Sequence, residues 1–155
     1  MEQIKVSDNF FLTEFIDPVT FAELGEYSIH KIDKQLIDIA QYARVNTGLP
    51  CTINNWASGG QYKESGLRRP DTTTGAKKSA HKLGKAIDLK IKGMSGQQMY
   101  DWARKNATKL YQLGVRRIET PSLTPSWLHM DTKEHGKEGV ILVIDLTKVV
   151  HEIRI

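Results

Sequence analysis

The chain has 155 residues, the size of one domain and too short for two with separate large cores. Hydrophobic residues make up 39% and charged residues 26%, which excludes a wholly disordered chain, a collagen-like chain and a coiled-coil rod; no apolar run approaches the ~20 residues of a membrane-spanning helix. The formal charge of +4 is uneven: residues 1–60 carry 4 Lys/Arg against 8 Asp/Glu, residues 61–120 carry 14 against 5, and residues 121–155 carry 4 against 5. The middle of the chain is therefore either a solvated basic face or the part that meets an anionic partner.

Met1-Glu2-Gln3-Ile4-Lys5-Val6 has no basic stretch followed by an apolar one, so no secretory leader is expected and the protein is made in the cytoplasm. Asn9 to Phe15 is aromatic-rich and predicts packing of the N-terminal segment onto the domain. Asp17-Pro18 reads as a helix N-cap followed by proline at the first helical position, starting a short helix that ends near Gly25. Ile29, Ile32, Leu36, Ile39 and Ala43 recur at three- and four-residue steps and predict a helix from about His30 to Asn46, closed by Gly48 and Pro50. Cys51 to Trp56 then reads as a strand. Cys51 is the only cysteine, so no internal disulfide forms, and it is expected to act as a small buried hydrophobe.

From about residue 57 to 78 the chain is rich in Gly, Ser, Thr, Lys and Arg, a loop long enough to be functional in a compact domain. Lys85 to Ile91 alternates, with Ala86, Asp88 and Lys90 on one face and Ile87, Leu89 and Ile91 on the other, which predicts a half-buried strand. Ser95-Gly96-Gln97-Gln98 matches a capping box ahead of a helix marked by Met99, Trp102, Ala103, Leu110 and Leu113 and closed by Gly114. Strand signals follow at Val115–Thr120, Trp127–Thr132, Gly139–Leu146 and, as an edge, Val149–Ile155. Helices first and mostly neighbouring strands after them predict a single α+β domain over residues 1–155, with a largely antiparallel sheet flanked by helices.

Two of the five histidines, His81 and His129, sit in unusual company. Asp88 lies on the polar face of its strand, and Trp127, His129 and Asp131 share one face of theirs. If both strands belong to one sheet, Asp88 and His129 project into one cleft, and a turn at Gly84 folds His81 back over the strand start. Two imidazoles and a carboxylate with an open position form a catalytic zinc ligand set; spacing alone leaves open that these are unrelated surface histidines.

Ser79-x-His81-x-x-Gly84-x-Ala86-x-Asp88 followed by Trp127-x-His129 resembles the zinc D-Ala-D-Ala carboxypeptidases and phage L-Ala-D-Glu endopeptidases, whose metal site hedgehog signalling domains share. Asn9–Phe15 is similar to the N-terminal segment of small phage-type members. Ser65-Gly66-Leu67-Arg68 is similar to a serine-glycine-aromatic-arginine turn upstream of the first ligand, with Leu67 where an aromatic is common. The resemblance spans about residues 9 to 131. It implies His81, Asp88 and His129 as zinc ligands and a glutamate general base shortly before the second histidine. Ser126 and Trp127 occupy the positions where some members carry that glutamate. Glu119 is the expected base; Asp131 is the rival, with orientation of a ligand as its other role.

Arg68 is expected to bind a substrate carboxylate or the developing oxyanion, with Arg69 able to exchange roles. Ser79 either hydrogen-bonds near the metal or caps a turn, and Trp127 and Trp56 are candidates to wall the cleft. Glu134 and His135 are expected to be solvated. The implied activity is hydrolysis of an amide in peptidoglycan stem peptides by a monomeric phage or prophage lysin that works at the cell wall, delivered through a holin-type pore or carried in a virion, with endopeptidase and carboxypeptidase outcomes both open. The alternative is a non-catalytic, zinc-stabilised wall-binding or virion module. Nucleic-acid binding is not expected: the basic segment lacks the aromatic interleaving of a stacking platform and any groove-reading motif.

Overall fold

The computed structural model describes residues 3–155; Met1 and Glu2, the start of the stretch read as lacking a leader, lie outside the described residues. The chain forms one α+β domain around a six-stranded sheet: β1 (Cys51–Thr52), β2 (Ala86–Ile91), β3 (Arg117–Glu119), β4 (Leu128–Asp131), β5 (Val140–Asp145) and β6 (Lys148–Arg154). The spatial order is β1-β2-β4-β3-β5-β6, antiparallel throughout except for the parallel pair β3–β5. The helices are α1 (Pro18–Leu24), α2 (Gln35–Thr47), α3 (Gly96–Lys105) and α4 (Ala107–Leu113). No helix among the described residues is long and apolar enough to cross a membrane.

Local signals act where the sequence placed them. The Asp17 carboxylate accepts from the backbone N–H groups of Val19 and Thr20 at 3.1 and 2.9 Å and starts α1 at Pro18. Ser95 and Gln98 form the reciprocal capping box of α3. On β2 and β4 the side chains of Ile87, Leu89, Leu128 and Met130 all point into the core and are fully buried, each contributing about 1.5–3 kcal/mol. Phe10, Leu12, Phe15 and Ile16 seal the N-terminal segment onto that core.

Five expectations are corrected. The helix expected from His30 starts at Gln35, because residues Gly25–Lys31 form a 3-10 turn and Ile32 is extended. Asp33 stands just ahead of the helix: it accepts from the N–H groups of Gln35 and Leu36, donates its own N–H to the Gly84 carbonyl at 2.8 Å and accepts from the Thr132 hydroxyl at 2.8 Å. The strand from Cys51 ends at Thr52, since Asn54 and Asn55 turn their N–H groups to the carbonyls of Glu14 and Tyr62. The helix expected up to Gly114 is two helices, broken at Asn106, whose side chain bonds the Trp102 carbonyl and the Tyr42 hydroxyl. β2 is covered on both faces, because the loop over 57–78 lies across its polar side. Cys51 is only half-buried, with its thiol pushed up to about 11 by burial.

Candidate metal centre

β2 and β4 pair so that Asp88 lies directly opposite His129. Side chains opposite one another in an antiparallel pair stand about 5 Å apart at Cβ, so this register alone brings the carboxylate to the imidazole. The third group arrives on a 3-10 turn, Ala80–Leu83, capped by the Ser79 hydroxyl accepting from the His81 N–H at 3.3 Å. Gly84 ends the turn with a φ of +67°, and a Cβ there would overlap the Lys31 carbonyl oxygen. The Gly84 turn thus carries His81 back over the start of β2, as the spacing predicts.

His81 Nε2 lies 3.2 Å from Asp88 Oδ1 and 3.2 Å from His129 Nδ1, and His129 Nδ1 lies 2.9 Å from Asp88 Oδ1. Three donors held about 2.0–2.1 Å from one tetrahedral ion stand about 3.3 Å apart, so these atoms have the separation that a small cation requires. The outer atom of every group is occupied. His81 Nδ1 meets the Gly66 carbonyl at 2.8 Å, His129 Nε2 meets Asp131 Oδ2 at 3.1 Å, and Asp88 Oδ2 accepts from Arg68 at 3.0 Å. These partners accept protons from the imidazoles, which assigns the N–H groups to the outer nitrogens. The inner faces then present two nitrogen lone pairs and a carboxylate oxygen to one point. Three acceptors so close repel one another unless a proton or a metal cation lies among them, and His81, Asp88 and His129 form a group able to hold a metal ion.

The local field agrees. Burial by itself would lower the His129 pKa, but hydrogen bonds and charge from Asp131 and Asp88 outweigh it and raise the pKa to about 10. Burial would raise Asp88, yet the two histidines hold it well below the usual carboxylate range. Asp131 is likewise pushed up by burial and, more strongly, down by His129 and Arg117. This corner of the protein favours positive charge.

A turn from the long loop supports the site through its backbone. The Ser65 carbonyl accepts from Asp88 N–H at 2.7 Å, Arg68 N–H donates to the His81 carbonyl at 3.1 Å, and Leu67 N–H donates to the Phe15 carbonyl at 2.8 Å. The Lys90 ammonium pins the turn from below, donating to Ser65 Oγ at 2.7 Å and to the carbonyls of Ile53 and Asp88. Burial lowers its pKa to about 8.

The three groups open into a cavity of about 610 Å³, also lined by Arg68, Ser79, Arg117, Glu119, Trp127 and Lys133, with Ile144 and Leu146 along one wall. Glu119 reaches it from β3, and Trp127 from the start of β4. The other expectations are redistributed. Arg68 lines the cavity but spends its guanidinium on Asp88 and on the Glu64 carbonyl, at 2.6 Å. Arg69 faces elsewhere, paired with Glu23 and Asp71. Trp56 donates to the Ile16 carbonyl at 2.9 Å and packs on Phe21, away from the cavity. Asp131 is fully buried between His129 and Arg117, so it is a support of the site and has no route to a substrate. Glu134 is exposed, while His135 is half-buried with its Nε2 on the Val140 carbonyl. Sequence reasoning missed the roles of Asp33, Lys90, Arg117 and Lys133; Lys90 left a trace in its place on the same strand face as Asp88, and Arg117 in its place on the same strand face as Glu119. Neither protein-family models, curated proteins nor solved structures give a match to this chain.

Proposed function

We propose that the protein is a zinc metallopeptidase that hydrolyses an amide bond in peptidoglycan stem peptides, acting at the cell wall as a lysin of phage or prophage type. The observation that carries this reading is the convergence of His81 Nε2, Asp88 Oδ1 and His129 Nδ1 on one point at the floor of a cavity that also holds Glu119. Two imidazoles and one carboxylate match the donors of a catalytic zinc site better than the thiolate-rich set of a purely structural one.

When bound, zinc would supply a Lewis acid for the scissile carbonyl and a water of lowered pKa. Glu119, half-buried on the cavity wall and without a side-chain hydrogen bond among the described residues, takes the proton of the attacking water. It returns that proton to the amine nitrogen as the C–N bond breaks. Arg68 orients Asp88 through its contact at 3.0 Å and sets positive charge on the cavity wall beside the carbonyl oxygen. Lys133 and Lys78, on the same cavity, stand where stem-peptide carboxylates arrive, and Trp127 supplies a flat wall for the peptide.

The test pairs two substitutions on purified peptidoglycan, read as released amino groups. Glu119→Gln should retain zinc and fold while losing about 10²–10⁴-fold in rate. His81→Ala should lose zinc and activity together. A fully active Glu119→Gln overturns the assignment of the base. The non-catalytic alternative gains support if the zinc-loaded wild type releases no amino groups from peptidoglycan of any chemotype.

A further inference from the structure

Asp131 is the most costly residue near the site to explain by folding alone. It is 0% exposed, on the central strand β4, with Ala86 opposite on one neighbouring strand and Arg117 opposite on the other. Arg117 grips it with both ends of the guanidinium fork, Nε at 3.0 Å from each carboxylate oxygen and Nη2 at 2.7 Å from Oδ2. Its Oδ1 also accepts from the Lys133 N–H at 3.0 Å. Buried ion pairs of this kind often add nothing to stability over apolar residues of the same volume. The small Ala86 side chain leaves the remaining direction open, and there Oδ2 meets His129 Nε2 at 3.1 Å.

We propose that Arg117 and Asp131 form a positioning pair that sets His129 as a metal ligand through Nδ1, and that makes it the stronger of the two imidazole donors. The proposal rests on the metal centre described above but not on the peptide bond being cut. The two histidines are supported unequally. A neutral carbonyl, Gly66, holds His81, which therefore binds through Nε2. An anionic carboxylate holds His129 in the opposite tautomer and enriches its inner nitrogen. The arginine prevents that carboxylate from adding uncompensated negative charge. Asp88 is treated alike, its outer oxygen taken by Arg68. Each carboxylate at the centre thus has its own guanidinium, so a divalent ion there keeps its full excess charge toward a substrate carbonyl.

Zinc affinity, measured by chelator competition, and imidazole ¹⁵N spectra of the zinc-loaded protein test the pair without reference to activity. Asp131→Ala should weaken zinc binding by about 10–100-fold. Asp131→Asn, which keeps an acceptor for Nε2–H but removes the charge, should fall between it and wild type. Arg117→Met, at a side chain only 20% exposed but outside the core, should also weaken binding and covers the case in which Asp131→Ala does not fold. The spectra should show His129 protonated at Nε2 and metal-bound at Nδ1, with His81 reversed. Zinc affinity within twofold of wild type in Asp131→Asn and Arg117→Met, or His129 bound through Nε2, overturns the proposal. If the affinities rank as expected while peptidoglycan is not cut, the pair stands and the peptidase reading falls. If wild type takes up no zinc, both fall.

Discussion

The two halves of the centre are held in place by different means. The half contributed by residues 65–88 is built from main chain: the Gly66 carbonyl on His81, the Ser65 carbonyl on the Asp88 N–H, and a glycine turn that touches the Lys31 backbone. The half contributed by β3 and β4 is built from strand register and charge: Asp88 opposite His129, then Arg117 on Asp131 on His129. Backbone contacts tolerate little change in shape. Side-chain charges tolerate a change in shape better than a change in charge. Leaving aside the candidate ligands themselves, substitutions among the supports of the first half should therefore read out as stability and those among the supports of the second as metal affinity.

Gly84→Ala is the strongest way to break this contrast. A Cβ at a φ of +67° that meets the Lys31 carbonyl should cost about 2–5 kcal/mol and lower Tm by about 10 °C. Thermal unfolding checks it, and an unchanged Tm would mean that the first half is not held by its backbone. Asp131→Asn is the counterpart: a zinc affinity loss of about tenfold with a much smaller change in Tm than Gly84→Ala. A large Tm loss with intact affinity would reverse the assignment of the two halves.

A smaller effect sharpens the first half further. Glu14 stands on the N-terminal segment whose next residue, Phe15, receives the Leu67 N–H. Burial raises its pKa from 4.5 to about 7, against a weaker opposite effect of the Phe11 N–H. The unfolded chain thus loses this proton near pH 4.5 and the folded chain near pH 7, so Glu14 makes stability fall as pH rises across that window and stay level above it. Glu14→Gln should flatten that part of the stability profile, measured by denaturant unfolding at pH 5 and pH 7. An unaltered slope would place the pH dependence elsewhere.

Much of the architecture was legible because period and punctuation agree. The alternation of β2, the Asp17-Pro18 and Ser95–Gln98 starts, and the glycine stops all act locally. The ligand set was legible in part, since face alternation puts Asp88 and His129 on polar faces, but the register that sets them opposite each other depends on how two distant strands pair. Arg68 shows where the reading runs out. Its chemistry suits a carboxylate, and nothing local says whether that carboxylate belongs to a substrate or to Asp88, twenty residues on. Arg117 and Asp131 are harder still, because their meeting depends on β3 and β4 being neighbours. The basic excess of residues 61–120 changes meaning accordingly: Arg68 and Arg117 are committed to carboxylates of the centre, and Lys90 to the turn beneath it. What remains of that block to face a ligand in the cavity is Lys78, joined by Lys133 from beyond it.

Metal add-back on peptidoglycan tests the central claim most directly. The protein is stripped with a chelator and resupplied with zinc, and the digested muropeptides are identified by mass spectrometry. The account predicts about one zinc bound per chain, a single class of stem-peptide amide cut, no cutting after stripping and full recovery on resupply. Cutting that survives complete removal of metal, or a fully zinc-loaded protein that leaves every stem-peptide amide intact, would contradict it.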